Sequence, residues 1–75
     1  MVEVIRNPIT GDTLAEYPDA MDAWCFMQKL YDDMKASGHH VVIEETRDYM
    51  ELLEWEYDGP DEQWLRPVAE WIPSH

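Results

Sequence analysis

Positive charge is what this chain has least of. Lys29, Lys35, Arg6, Arg47 and Arg66 are its only lysines and arginines, against 17 Asp and Glu, leaving a formal net charge of −12 on 75 residues. So few cations cannot form the basic patch with which proteins neutralise phosphates, and direct binding to DNA or RNA is excluded. One cysteine, Cys25, rules out an internal disulfide, and a cytoplasmic location is the expectation for an unpaired thiol. No apolar run approaches the roughly 20 residues of a membrane-spanning helix, and Met1-Val2-Glu3-Val4-Ile5 lacks the basic start of a signal peptide. The three glycines form no phosphate-cradling loop.

Aromatic and aliphatic residues are not scarce. Hydrophobic residues make up 45% of the chain, with four Trp, four Tyr and one Phe, which separates it from acidic disordered tails. A folded domain is expected, with a core of the size that supplies about 3–5 kcal/mol and no room for a deep cleft.

Val2 to Arg6 and Thr13 to Tyr17 are strand-like segments around Asn7-Pro8-Ile9-Thr10-Gly11-Asp12, whose turn chemistry predicts a β-hairpin. Apolar residues at Ala20, Ala23, Trp24, Met27, Leu30, Tyr31 and Met34 predict an amphipathic helix over 20–36, with Asp19 as N-cap, Asp22 in the first turn and Gly38 beyond its end. His39 to Glu45 and Glu51 to Tyr57 predict two further strands joined through Arg47-Asp48. In the second of these, Leu53, Trp55 and Tyr57 are expected to face the helix, with Trp24 also in the core. Glu54 and Glu56 then face water beside Glu3 and one of Glu44 or Glu45. Asp58-Gly59-Pro60 breaks the pattern, and helical spacing of Trp64, Val68 and Trp71 predicts short helical turns interrupted by Pro67. The expected fold is therefore α+β: a ββαββ domain over residues 1–58, its antiparallel sheet covered on one face by the helix, with an aromatic and acidic helical appendix over 59–75 packed on it.

Nine of the 17 acids, Glu44, Glu45, Asp48, Glu51, Glu54, Glu56, Asp58, Asp61 and Glu62, lie between residues 44 and 62. On a strand, Glu54 and Glu56 project from one face roughly 7 Å apart, and such a row imitates a phosphate backbone. These nine are the expected partner-binding residues, and the expected partner is a basic protein surface, that of a nucleic-acid-binding protein or nuclease. Two plainer readings stand beside it: a solvated face that confers solubility, and adaptation to high salt. In size and charge, though in no particular motif, the chain resembles the small acidic inhibitors that bacteriophages and mobile elements direct against CRISPR or restriction enzymes. That resemblance implies an inhibitor acting in a host cytoplasm. The rival expectation is an adaptor that binds a partner through Trp64 and Trp71, or that pairs with itself along a sheet edge as a homodimer.

Catalytic chemistry is not expected. A solvent-facing row of carboxylates offers no environment that drives two pKa values apart, and Cys25, without an activating neighbour, reads as a small packed residue. Glu54 to Gly59 imitates the start of a calcium loop, but Leu65 stands where the closing Glu is required. His39, His40 and Cys25 have no zinc spacing. Neither a metal nor a cofactor is expected.

Overall fold

Asn7 organises the first turn. Its Oδ1 accepts hydrogen bonds from the backbone N–H groups of Ile9 (2.9 Å) and Thr10 (3.2 Å), while Gly11, at φ +78°, donates its N–H to the Asn7 carbonyl at 2.8 Å. A left-handed φ costs glycine nothing, so the chain reverses there and returns as a hairpin. The computed structural model describes residues 2–55 and 65–73. Within them β1 (Glu3–Arg6) and β2 (Thr13–Tyr17) form this hairpin, with a bulge at Leu14 where Ile5 pairs with Ala15 and Arg6 with Thr13.

Helix α1 (Ala20–Ala36) has the predicted bounds. The Asp19 carboxylate accepts the Met21 N–H at 2.8 Å, and Asp22 adds negative charge to the first turn. At the other end Gly38 adopts φ +89° and donates to the Lys35 carbonyl, while the His39 N–H bonds the Met34 carbonyl, both at 3.0 Å. This pair of bonds closes the helix and turns the chain toward the sheet.

Strands β3 (Val41–Glu45) and β4 (Met50–Trp55) form the second hairpin, turned by Thr46, whose Oγ1 accepts from the N–H groups of Asp48 and Tyr49 at 3.2 Å. The sheet is antiparallel throughout, in the order β2-β1-β5-β4-β3, and α1 packs across one face. This is the expected small α+β fold, with a fifth strand. Residues expected as helical turns form β5 (Leu65–Trp71), seated between β1 and β4. Pro67, which reads against a central strand, sits beside a bulge at Val68: Leu52 pairs with Ala69, Leu53 with Pro67, and β1 joins β5 only at Glu70 and Trp71.

The core joins Ile5, Ala23, Met27, Met50, Leu52, Ala69 and Trp71. Three expectations are corrected by it. On β4, Met50 and Leu52 face the helix, so Leu53 and Trp55 lie on the other side and the anticipated polarity of the strand is inverted. On α1, Trp24 is 38% exposed and Phe26 packs against the core instead, its ring centroid 5.9 Å from that of Tyr17. Cys25 is exposed rather than packed. Among the described residues no helix is long and apolar enough to cross a membrane.

The exposures of Met27 and Trp24 yield a test. Met27→Ala should cost about 2–5 kcal/mol, comparable to the whole stability expected of so small a domain, whereas Trp24→Ala should cost less than about 1 kcal/mol. Thermal melts followed by circular dichroism would show the difference. Equal losses would refute this orientation of α1.

Candidate functional site: a carboxylate row across the sheet

Residues directly opposite one another on paired strands project from the same face. Glu44 of β3 stands opposite Glu51 of β4, Glu51 stands opposite Glu70 of β5, and Glu70 stands opposite Arg6 of β1. With strands about 4.8 Å apart, three carboxylates therefore line up across the sheet on the face away from α1, and Arg6 ends the row. Glu44 is exposed, while Glu51 and Glu70 are half-buried. Asp48 and Tyr49, in the turn at one end of β4, border a shallow hollow with Glu51, Glu70 and Ile72. A second hollow, lined by Val2, Val4 and Arg6, shares Glu70 and Ile72 with the first.

Glu51, in the middle, carries the electrostatic burden. Burial first, then the charges of Glu44 and Glu70, hold its carboxyl above the ordinary value of 4.5. Like charges directly opposite on a sheet destabilise it by roughly 0.2–1 kcal/mol per pair, and Glu51 belongs to two such pairs.

Glu54 has the opposite environment. It lies on the helix side, where His39 Nδ1 hydrogen-bonds its Oε2 and the Arg66 guanidinium donates to its Oε1 at 3.1 Å. The hydrogen bond from His39 is the main cause of a carboxyl held below 4.5, against the contrary effect of burial, and Arg66 adds to it. Glu54 thus ties the helix exit and β5 to β4, and its charge is matched within the chain. Glu3, expected on the wet face, is instead 7% exposed on the helix side, and its Oε2 accepts the Trp71 indole N–H at 3.0 Å.

The nine acids expected to act together are thus placed differently. Glu44, Glu51 and Asp48 share the face or rim opposite the helix; Glu45, opposite Met50, projects toward the helix side at the sheet's end. Glu54 is paired as described. Glu56, Asp58, Asp61 and Glu62 lie outside the described residues, as does Trp64. Trp71, the other half of the expected aromatic dock, is 7% exposed in the core. Its indole packs within the domain, so the rival adaptor reading loses that side chain. Glu70 was missed by sequence reasoning. Its signal was the alternation of Ala69, Glu70 and Trp71, legible only if the segment is read as a strand.

Among the described residues no group of three or more His, Cys, Asp or Glu is arranged to hold a metal ion. The chain matches no known protein family, no curated protein and no solved structure.

The two environments predict opposite responses to pH. Since the folded-state pKa of Glu51 is raised, its contribution to stability is full below about pH 4.5 and is lost as the pH rises through that raised value. Glu54, with a lowered value, contributes fully above pH 4.5 and loses that contribution as the pH falls through its folded pKa. At pH 7, Glu51→Gln should raise stability by about 0.2–1 kcal/mol, a gain that vanishes in acid. Glu54→Gln should lower it by up to about 1 kcal/mol, allowing for the half-exposed partners. Urea titrations of both variants at pH 7 and in acid check the signs. Destabilisation by Glu51→Gln at pH 7 would contradict the row.

Proposed function

We propose that the protein is an acidic binding protein that occupies a basic, nucleic-acid-binding surface of another protein, in the manner of a phosphate-backbone mimic. The observation that carries this reading is the in-register row Glu44, Glu51 and Glu70. Three like charges held side by side by backbone hydrogen bonds weaken the free fold, whereas a solubilising surface needs no such register and mixes its charges. A partner surface rich in Lys and Arg relieves that repulsion on contact. The complex therefore gains from an arrangement that the free protein tolerates at a loss.

Charge spacing supports the same partner class. One carboxylate per strand, about 4.8 Å apart, is of the order of the one phosphate per 3.4 Å of axis along a DNA strand. A groove built for phosphates would accept the row, and nucleic acid would be shut out. An inhibitor of a host nuclease, of the kind phages direct against CRISPR or restriction enzymes, is the most specific form of this proposal. The adaptor reading loses Trp71 to the core and retains β2 and β3, the outermost strands of the sheet among the described residues.

One substitution separates the stability of the row from its use. Glu51→Lys converts it to alternating signs, Glu44, Lys, Glu70, and should stabilise the free domain while weakening capture of the partner at least tenfold. The measurement is a capture from host lysate with wild-type and variant baits, eluted with increasing salt or with duplex DNA. A nucleic-acid-binding protein that is released by DNA, retained at about 50 mM salt and lost by about 200 mM is the expected result. A partner held equally by both baits and indifferent to DNA would reject the proposal.

A further inference from the structure

The acidic row does not lie on a bare sheet: apolar side chains stand beside it. Ile72, just beyond β5, is 60% exposed, and Tyr49, in the β3–β4 turn, is 36% exposed. Both border the hollow of about 380 Å³ whose other walls are Asp48, Glu51 and Glu70. Exposed apolar surface and half-buried carboxylates thus line the same concavity, on the face that α1 leaves uncovered.

We infer that this hollow is a docking groove for an arginine side chain presented by the basic partner, and that it selects arginine over lysine. The inference rests on the reading of a basic partner and specifies what that partner inserts. A guanidinium is planar, with five donors in a fixed fork, so one group bonds two carboxylates at once, and Glu51 and Glu70 are neighbours across adjacent strands. Its weaker hydration lets it enter a half-buried site that an ammonium, strongly hydrated and compact, enters at greater cost. The methylene stem has an apolar wall in Ile72, and the Tyr49 ring offers a face on which a guanidinium stacks. The charge complementarity is local as well as global. Burial and the neighbouring carboxylates leave Glu51 short of compensating charge, and a cation placed between it and Glu70 supplies it.

The occupant is a side chain of a protein, because the hollow is shallow and open and a free small cation would bury little surface there. A separate exposed apolar hollow, formed by Ala20, Met21 and Trp24 on α1, has no acid among its described lining residues and serves as an internal control.

The test uses the full chain with two defined probes, a peptide of ten arginines and one of ten lysines. Calorimetry gives the affinities, and backbone amide shifts locate the contact. The arginine peptide should bind at least tenfold more tightly in moderate salt and shift Tyr49, Glu51, Glu70 and Ile72 while leaving Met21 and Trp24 unmoved. The preference should collapse in Ile72→Ser and in the double variant Glu51→Gln/Glu70→Gln. Since Ile72 is exposed and Glu51→Gln relieves repulsion, both variants should fold, as a melt confirms. Equal binding of the two peptides, undisturbed by Ile72→Ser, would overturn the groove and leave a basic partner standing. Arginine preference with shifts centred elsewhere would overturn the location. Failure of both peptides to bind would overturn the groove together with the basic-partner reading.

Discussion

The fold depends on the insertion of β5 between β1 and β4. Among the described residues the hairpins β1–β2 and β3–β4 have no pairing with each other, and the strand pairing that makes them one sheet passes through Leu65–Trp71. Contact with β1 is short, at Ile5–Trp71 and Arg6–Glu70, so side chains must secure the junction. Trp71 does so: it pairs with Ile5 on one side and Met50 on the other, and its indole N–H is received by the buried Glu3 carboxyl. Such a bond contributes about 1 kcal/mol net, but an unmatched buried N–H would cost about 1–3 kcal/mol, so the pair specifies the register as much as it stabilises it.

That register couples the core to the acidic face. Side chains alternate along a strand, so seating Trp71 inward obliges Glu70 to point outward, opposite Glu51. A slip of one residue would turn Glu70 toward the core and the tryptophan toward solvent. The repulsion along Glu44, Glu51 and Glu70 is therefore a consequence of the same pairing that closes the core. Burial of Trp71, Met50 and Leu52 outweighs it: a fully buried side chain of this kind contributes about 1.5–3 kcal/mol, against under about 1 kcal/mol for each like-charged pair. Glu54 offsets part of the remainder by tying His39 and Arg66 together on the helix side.

Much of this was legible in the residues. Asn7 and Gly11 marked the first turn, Asp19 and Gly38 marked the ends of α1, and the runs from His39 and Glu51 marked the second hairpin. What stayed hidden had physical causes. Pro67 argues against a central strand, and two features invisible to local pattern accommodate it: the bulge at Val68, and a pairing with β1 that reaches only Glu70 and Trp71. Leu52 and Leu53 are adjacent and both apolar, so alternation on β4 fitted either face; Met50 and the demands of the core decided between them. Trp24 and Phe26, two residues apart, flank the apolar stripe of α1 on opposite sides, and the sheet took the smaller ring. Glu3 reads as a surface acid until a tryptophan 68 residues away requires an acceptor. For the candidate site, Glu44 and Glu51 were read from the acid cluster, while their alignment with Glu70 arises from strand order, which no local window contains.

The contrast between Glu51 and Glu54 bears on what the acidity is for. If negative charge served solubility alone, Glu44 and Glu51 would do as well scattered, each with a cation nearby, as Glu54 has Arg66 and Glu70 has Arg6 opposite it on β1. Instead the sheet aligns them where they repel, and the surface beside them is apolar, in Ile72 and Tyr49, rather than uniformly wet. A high-salt habitat would screen exposed charges wherever they lay on the surface and would not call for a register. Acid aligned at a loss to the free fold, with apolar flanks, has the features expected when a cation from outside completes the arrangement, because only then does the repulsion become complementarity. A partner rich in arginine meets both halves of that surface, charge and apolar wall, with a single kind of side chain.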